Sequence, residues 1–131
     1  MNNFFEHLDP LAFEVAANKA TEAPFSGEYD DFFQDGVYYC KACRQKLFVS
    51  QDKFDSGCGW PAFSRVADDV AVRFERDESF GMLRTEVLCN NCGAHLGHVF
   101  NDGPEPSGER FCINSAILDF EESADSDALE S

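Results

Sequence analysis

Two Cys-x-x-Cys pairs, Cys40 with Cys43 and Cys89 with Cys92, constrain this 131-residue chain more than any other feature. A two-residue gap lets a tight turn aim both sulfurs at one ion while backbone amides face the negative cluster. Together the pairs supply the four thiolates that a structural Zn2+ takes in a tetrahedron. Gly93, directly after the second pair, suits the positive φ that such a turn often needs. Residues 44–88 lie between the pairs, more chain than a compact zinc finger holds, so a metal here would staple distant strands rather than nucleate a miniature fold. In small zinc modules such binding contributes on the order of 10 kcal/mol. Two other readings stand beside it: four buried free thiols, or one pair acting as a redox couple. The second belongs next to a βαβ pattern, which the sequence does not show.

The body around the staple is predicted to be β-rich. Fourteen phenylalanines and three tyrosines favour strands around an aromatic core, and the length suits one domain. Short β-prone runs separated by turns are expected at Val37–Cys40, Leu47–Ser50, Met82–Leu88, Leu96–Phe100 and Phe111–Phe120. Val70, Val72 and Phe74 alternate with Ala71, Arg73 and Glu75 as in a half-buried strand. KFDSGCGWPAF, residues 53–63, reads as a loop. Upstream, Asp9 and Pro10 look like the cap and first residue of a short helix. Leu11 and Val15 should share its inner face, with the alanines adding little to the core. Thr21–Tyr29 is irregular, and Phe25 is expected to anchor it. The fold class is thus mainly β, in antiparallel sheets. Residues 1–8 form a lightly packed lead-in, 9–120 the folded body, and 121–131 an acidic, disordered tail.

The formal charge of −15 argues against a nucleic-acid partner, because an anionic surface repels phosphates. That charge serves either solubility or life at high salt; folding that strengthens with added KCl would mark the second. No run of eighteen or more apolar residues exists, so no transmembrane helix is expected. The start, MNNFFEHLDP, does not resemble a secretory signal. A cytoplasmic monomer is the expectation, and in that compartment paired cysteines bind metal or react rather than form structural disulfides.

Subtracting the four paired cysteines leaves Cys58 and Cys112. Both fit either of two roles, small buried hydrophobes or reactive thiols. Strand alternation would set Arg110, Cys112 and Asn114 on one face, and a cation there lowers a thiol's pKa. His95 and His98 would find a metal sphere already filled by four thiolates. They are either core histidines or, just upstream of a candidate nucleophile, proton donors. Trp60, in a glycine-rich loop, is as well suited to wall a pocket as to fill a core.

The segments SGCGWPAF, GMLRTEVLCNNCGAHLGHVFNDGP and SGERFCINSAIL resemble the methionine sulfoxide reductase B family, over about Thr21 to Phe120. The resemblance implies two packed antiparallel sheets with short N-terminal helices, and a structural Zn2+ on Cys40, Cys43, Cys89 and Cys92, away from the active site. It makes residues 9–120 the catalytic domain, reducing the R epimer of methionine sulfoxide in oxidised proteins or peptides and possibly in the free amino acid. Cys112 falls on the catalytic cysteine and Cys58 on the resolving one. Trp60 and Phe100 fall on the apolar side of the substrate site, and His95, His98, Asp102, Arg110 and Asn114 on polar positions. The implied cycle is thiolate attack on sulfur, a sulfenic acid, a Cys58–Cys112 disulfide, and regeneration by thioredoxin. Three positions depart from the usual pattern: Phe111 for Tyr, Ile117 for a small polar residue, and Ala62 for Ser. Two alternatives stand: a non-catalytic zinc-knuckle binding module, which would have no use for Cys58, Cys112 or the histidines, and a thiol peroxidase, which would attack peroxide oxygen and has no need of an aromatic pocket at Trp60.

Overall fold

The computed structural model describes residues 5–30, 32–78, 81, 83–105 and 107–122. Asp9 caps the helix α1 (Pro10–Asn18), its side chain accepting the Ala12 N–H at 2.9 Å, and proline takes the first turn. This is the one α-helix among the described residues, where the resemblance implied more than one. The inward face differs from the expectation. Ala12, Val15 and Ala16 are buried while Leu11 is exposed. The small side chains let the helix lie close to what it covers, so here the alanines do deepen the core.

Among the described residues nine strands follow, in two antiparallel sheets. The smaller contains β1 (Gly36–Cys40), β2 (Lys46–Val49) and β9 (Leu118–Glu122), in the order β2-β1-β9. The larger contains β3 (Lys53–Phe54), β4 (Ala62–Phe63), β5 (Val72–Asp77), β6 (Arg84–Cys89), β7 (His95–Phe100) and β8 (Arg110–Ile113), in the order β3-β4-β8-β7-β6-β5. Aromatic rings join the sheets. Phe48 of β2 stacks on Phe63 of β4 with centroids 4.3 Å apart, and Tyr38 of β1 meets the same ring edge-on at 5.1 Å. Phe111 of β8 closes the cluster against Phe48. All four side chains are fully buried, each contributing about 1.5–3 kcal/mol by burial.

Several expectations need correction. The run Phe111–Phe120 is not one strand. A 3-10 turn at Ser115–Ile117 breaks it and carries the chain from the large sheet to the small one. Residues 53–63 are not all loop, because β3 and β4 flank the glycine-rich centre. Val70 lies outside β5 and is exposed, as is Phe74, while Val72 and Asp77 are the buried ends of that strand. Phe25 does not anchor its segment inward but stands exposed. The expected strand start at Met82 and the acidic tail beyond residue 122 lie outside the described residues. In the lead-in, Phe5 and Leu8 pack against the core and His7 Nε2 lies 2.9 Å from the Lys41 carbonyl.

Candidate active site

Cys112 sits in β8 with Ala62 of β4 on one side and His98 of β7 on the other. Cys58 reaches it from the loop between β3 and β4, whose glycines at 57 and 59 adopt φ of +74° and +96°. In that conformation a side chain would be strained, so glycine frees the loop to fold back over the sheet. The Cys58 and Cys112 sulfurs lie 3.1 Å apart, and both are free thiols. Fifty-four residues separate them in sequence, so it is the β4–β8 pairing that brings them together.

A pocket of about 280 Å³ opens onto this pair. Trp60 and Phe100 supply its apolar surface, and His98, Arg110 and Asn114 its polar one. Arg110 is fixed from two directions. It grips Asp102 with two hydrogen bonds, Nε to Oδ1 at 2.8 Å and Nη2 to Oδ2 at 3.1 Å, and its guanidinium lies 4.5 Å over the Phe100 ring. Its hydrogen bonds hold the Asp102 carboxyl below the usual carboxylate range. His98 Nε2 lies 2.7 Å from Asp77 Oδ2, and Arg84 Nη2 approaches the same oxygen at 3.5 Å. Behind His98, at 5.5 Å between ring centroids, His95 is buried with Nδ1 2.7 Å from Glu86 Oε2. His95 does not line the pocket. Burial lowers its pKa, with Glu86 opposing.

Arg110 acts on Cys112 in the expected direction, downward, but does not dominate there. Burial, and then the adjacent Cys58, push the Cys112 thiol up, and Arg110 offsets only part. For Cys58 burial also acts upward, but hydrogen bonding with Ser56 and Cys112 outweighs it and leaves the thiol below its ordinary value.

Asn114 lines the pocket while its amide is also tied inward. Its Oδ1 accepts the Glu22 N–H and its Nδ2 donates to the Leu96 carbonyl, both at 3.0 Å. Glu22 was not singled out in the sequence, yet it links much of the site. Its carboxylate accepts the N–H groups of Ser115 and Ala116, at 3.0 and 2.9 Å, and its carbonyl accepts the Trp60 indole N–H at 3.0 Å. Asp77, Arg84 and Glu86 were also unmarked. So was Gly97, where a Cβ would strike the Cys112 carbonyl oxygen. The glycine between the two histidines is the one available hint, since a strand interior rarely keeps a glycine unless another backbone comes close.

The remaining four cysteines converge elsewhere, and none lines the pocket. All four sulfurs lie within 4.8 Å of one another, an arrangement that could hold a metal ion. The two knuckles share one backbone pattern. Arg44 N–H donates to Cys40 O and Gly93 N–H to Cys89 O, each at 2.8 Å; Cys40 N–H donates to Gln45 O and Cys89 N–H to Ala94 O. Gly93 has the expected positive φ, +83°, and Arg44 holds the equivalent turn at +70°.

Fold and site together define a protein of paired β-sheets that sets two free thiols beside a pocket and gathers four more in a metal-ready cluster. Residues 8–122 match the SelR domain family. Proteins named peptide methionine sulfoxide reductase MsrB are similar over most of their length. That of Variovorax paradoxus is 57% identical, covering 86% of this chain and 82% of its own. Those of Methylibium petroleiphilum and Pseudomonas savastanoi pv. phaseolicola are each 55% identical, covering 87% of this chain and 83% and 87% of theirs. The chain belongs to this family, the methionine sulfoxide reductases of type B.

Proposed function

We propose that the protein reduces methionine-R-sulfoxide in oxidised proteins or peptides, with Cys112 as nucleophile. The observation that carries this reading is the 3.1 Å approach of two free thiols at the mouth of an aromatic-walled pocket. The Cys112 thiolate attacks the electrophilic sulfur while the sulfoxide oxygen takes up a proton. Methionine leaves, and the oxygen remains on Cys112 as a sulfenic acid. Cys58 attacks that sulfur and the oxygen departs as water, leaving a Cys58–Cys112 disulfide. His98 donates to the sulfoxide oxygen, with its ring held by Asp77 and with His95 packed behind it. Arg110, oriented by Asp102, favours the thiolate of Cys112. Trp60 and Phe100 receive the methyl and the carbon chain, and Asn114 holds the exit of β8 in place.

Thioredoxin is the reductant we assign, by thiol–disulfide exchange. A reducing cytoplasm suits a chain whose six cysteines are all free, and we take it to act as a monomer. Among the described residues no helix is long and apolar enough to cross a membrane. We assign Zn2+ to Cys40, Cys43, Cys89 and Cys92. A tetrahedron with Zn–S bonds of about 2.3 Å sets its sulfurs about 3.8 Å apart; Cys40 and Cys92 stand at 3.7 Å, and Cys43 and Cys89 at 3.5 Å. Held there, the ion would tie the β1–β2 turn to the β6–β7 turn and would supply stability rather than chemistry.

Incubation with the separate epimers of dabsyl-methionine sulfoxide and dithiothreitol tests the assignment. Turnover of the R epimer alone, abolished in Cys112→Ser, is expected. Turnover of both epimers, or activity surviving in Cys112→Ser, would overturn it. No turnover at all would favour a binding module.

A further inference from the structure

Phe25 combines two features that packing does not explain. The residue keeps 70% of its surface exposed. Its backbone is held at φ +65°, a conformation that bulky side chains rarely take. Such an outlier is a reason to look for function. What holds it is the loop that carries Cys58. Phe25 N–H donates to the Gly59 carbonyl at 2.7 Å, and Trp60, one residue on, is bonded to Glu22. Pro24 and Phe25 lie so close over residue 59 that a Cβ there would sit 2.7 Å from Pro24 Cβ and 3.3 Å from Phe25 Cδ2. An exposed aromatic ring is thus pinned against the residue that directly follows Cys58, outside both the core and the substrate pocket.

The geometry points to Phe25 as the docking anchor for the dithiol protein that reduces the Cys58–Cys112 disulfide, an inference that rests on the catalytic cycle proposed above. Cys58 belongs to a loop, whereas Cys112 lies in an interior strand. The reductant's thiolate therefore attacks the Cys58 sulfur. A mixed disulfide forms, the Cys58–Cys112 bond breaks, and Cys112 leaves as a thiolate that takes a proton. The reductant's second thiol then attacks its own half of the mixed disulfide and releases Cys58. Two electrons and two protons pass from the dithiol to the pair. Bringing a partner's sulfur into bonding distance of Cys58 covers whatever flanks that residue, and the ring over Gly59 is there. Buried aromatic anchors carry much of the energy of protein contacts, and in a small, transient complex one ring counts for a large share.

Two variants test this. Phe25→Gly removes the ring and suits the positive φ; Phe25→Asn also tolerates that φ and puts a polar group at the site. With thioredoxin as reductant, the KM for thioredoxin should rise roughly five- to thirtyfold in both, as expected for losing an anchor. With dithiothreitol, turnover and the KM for the sulfoxide should stay within about twofold of the parent, since a small dithiol needs no docking surface. An equal loss under dithiothreitol in both variants would show that Phe25 serves the substrate or the fold, and an unchanged thioredoxin KM in both would show that it serves neither partner; either result overturns the inference. Parent protein that works with dithiothreitol but not thioredoxin would remove the docking role and leave sulfoxide reduction standing. No turnover with either reductant would remove the catalytic reading, and this inference with it.

Discussion

Replacing Glu22 by glutamine keeps the shape of the side chain and should still damage both the fold and the site. The carboxylate is 3% exposed and accepts two backbone N–H groups, one on each oxygen. A glutamine amide has one acceptor atom, and its NH2 must face the other N–H donor to donor. Leaving a buried N–H unsatisfied costs about 1–3 kcal/mol, and the surviving bond loses its charge assistance, worth about 1 kcal/mol more. The sum is about 2–4 kcal/mol. With a urea m-value of about 2 kcal/mol/M, the unfolding midpoint should fall by about 1–2 M. Trp60, the single tryptophan, reports this directly, because its indole is bonded to the Glu22 carbonyl. Loosening that segment also frees Trp60 and Asn114, so kcat/KM should fall by roughly ten- to a hundredfold, as small misplacements at a reacting centre do. A midpoint and a rate both equal to the parent's would refute the reasoning, since they would mean that the carboxylate holds neither the turn after β8 nor the wall of the pocket.

Gly97→Ala places a methyl against the backbone of Cys112 and within 3.0 Å of Ile113 Cα, where neither can rotate away. A loss of about 1–3 kcal/mol in urea unfolding should accompany a fall in sulfoxide turnover, and a silent substitution would contradict the β7–β8 packing. Stripping metal from the four knuckle cysteines with a chelator under reducing conditions should lower the Tm sharply while one zinc per chain appears in the dialysate. Loss of one equivalent with no change in Tm would deny the ion its structural role. Acid should weaken the fold through His95, whose pKa burial depresses. As pH falls below about 6.5 the unfolded chain takes up a proton that the folded chain refuses, so stability drops by up to about 1.4 kcal/mol per pH unit. Urea titrations at pH 7.5, 6.5 and 5.5 should show that slope flattened in His95→Gln; an equal slope would assign it to other groups.

The metal-ready cluster and the Cys58–Cys112 pair were open to sequence reading for different reasons. Each knuckle is local: two cysteines, a tight turn and, at Gly93, a residue suited to positive φ. Its twin at Arg44 carried no such mark, because there the surrounding bonds hold an ordinary residue in the same conformation. Cys58 and Cys112 stood out by subtraction and by resemblance, but their contact depends on pairing between β4 and β8, which no local pattern encodes. Glu22, Asp77 and Glu86 stayed hidden because a chain of charge −15 is full of acidic residues, and nothing nearby in sequence distinguishes a buried carboxylate from a solvated one. The break after Ile113 escaped notice for a related reason. INSAIL reads as continuous strand, while the 3-10 turn within it is held by hydrogen bonds from Glu22, more than ninety residues away. Alternation misplaced Val70 and Phe74 because β5 is an edge strand, where the partner sheet no longer fixes an inside.

Peptide mapping by mass spectrometry after a single turnover reaches the central claim most directly. Reduced protein mixed with one equivalent of methionine-R-sulfoxide and no reductant, then alkylated in acid, should yield one equivalent of methionine and a single crosslink between the peptides carrying Cys58 and Cys112, with Cys40, Cys43, Cys89 and Cys92 unlinked. Methionine formed while Cys58 and Cys112 both remain alkylatable, or a crosslink among the four knuckle cysteines instead, would contradict the account.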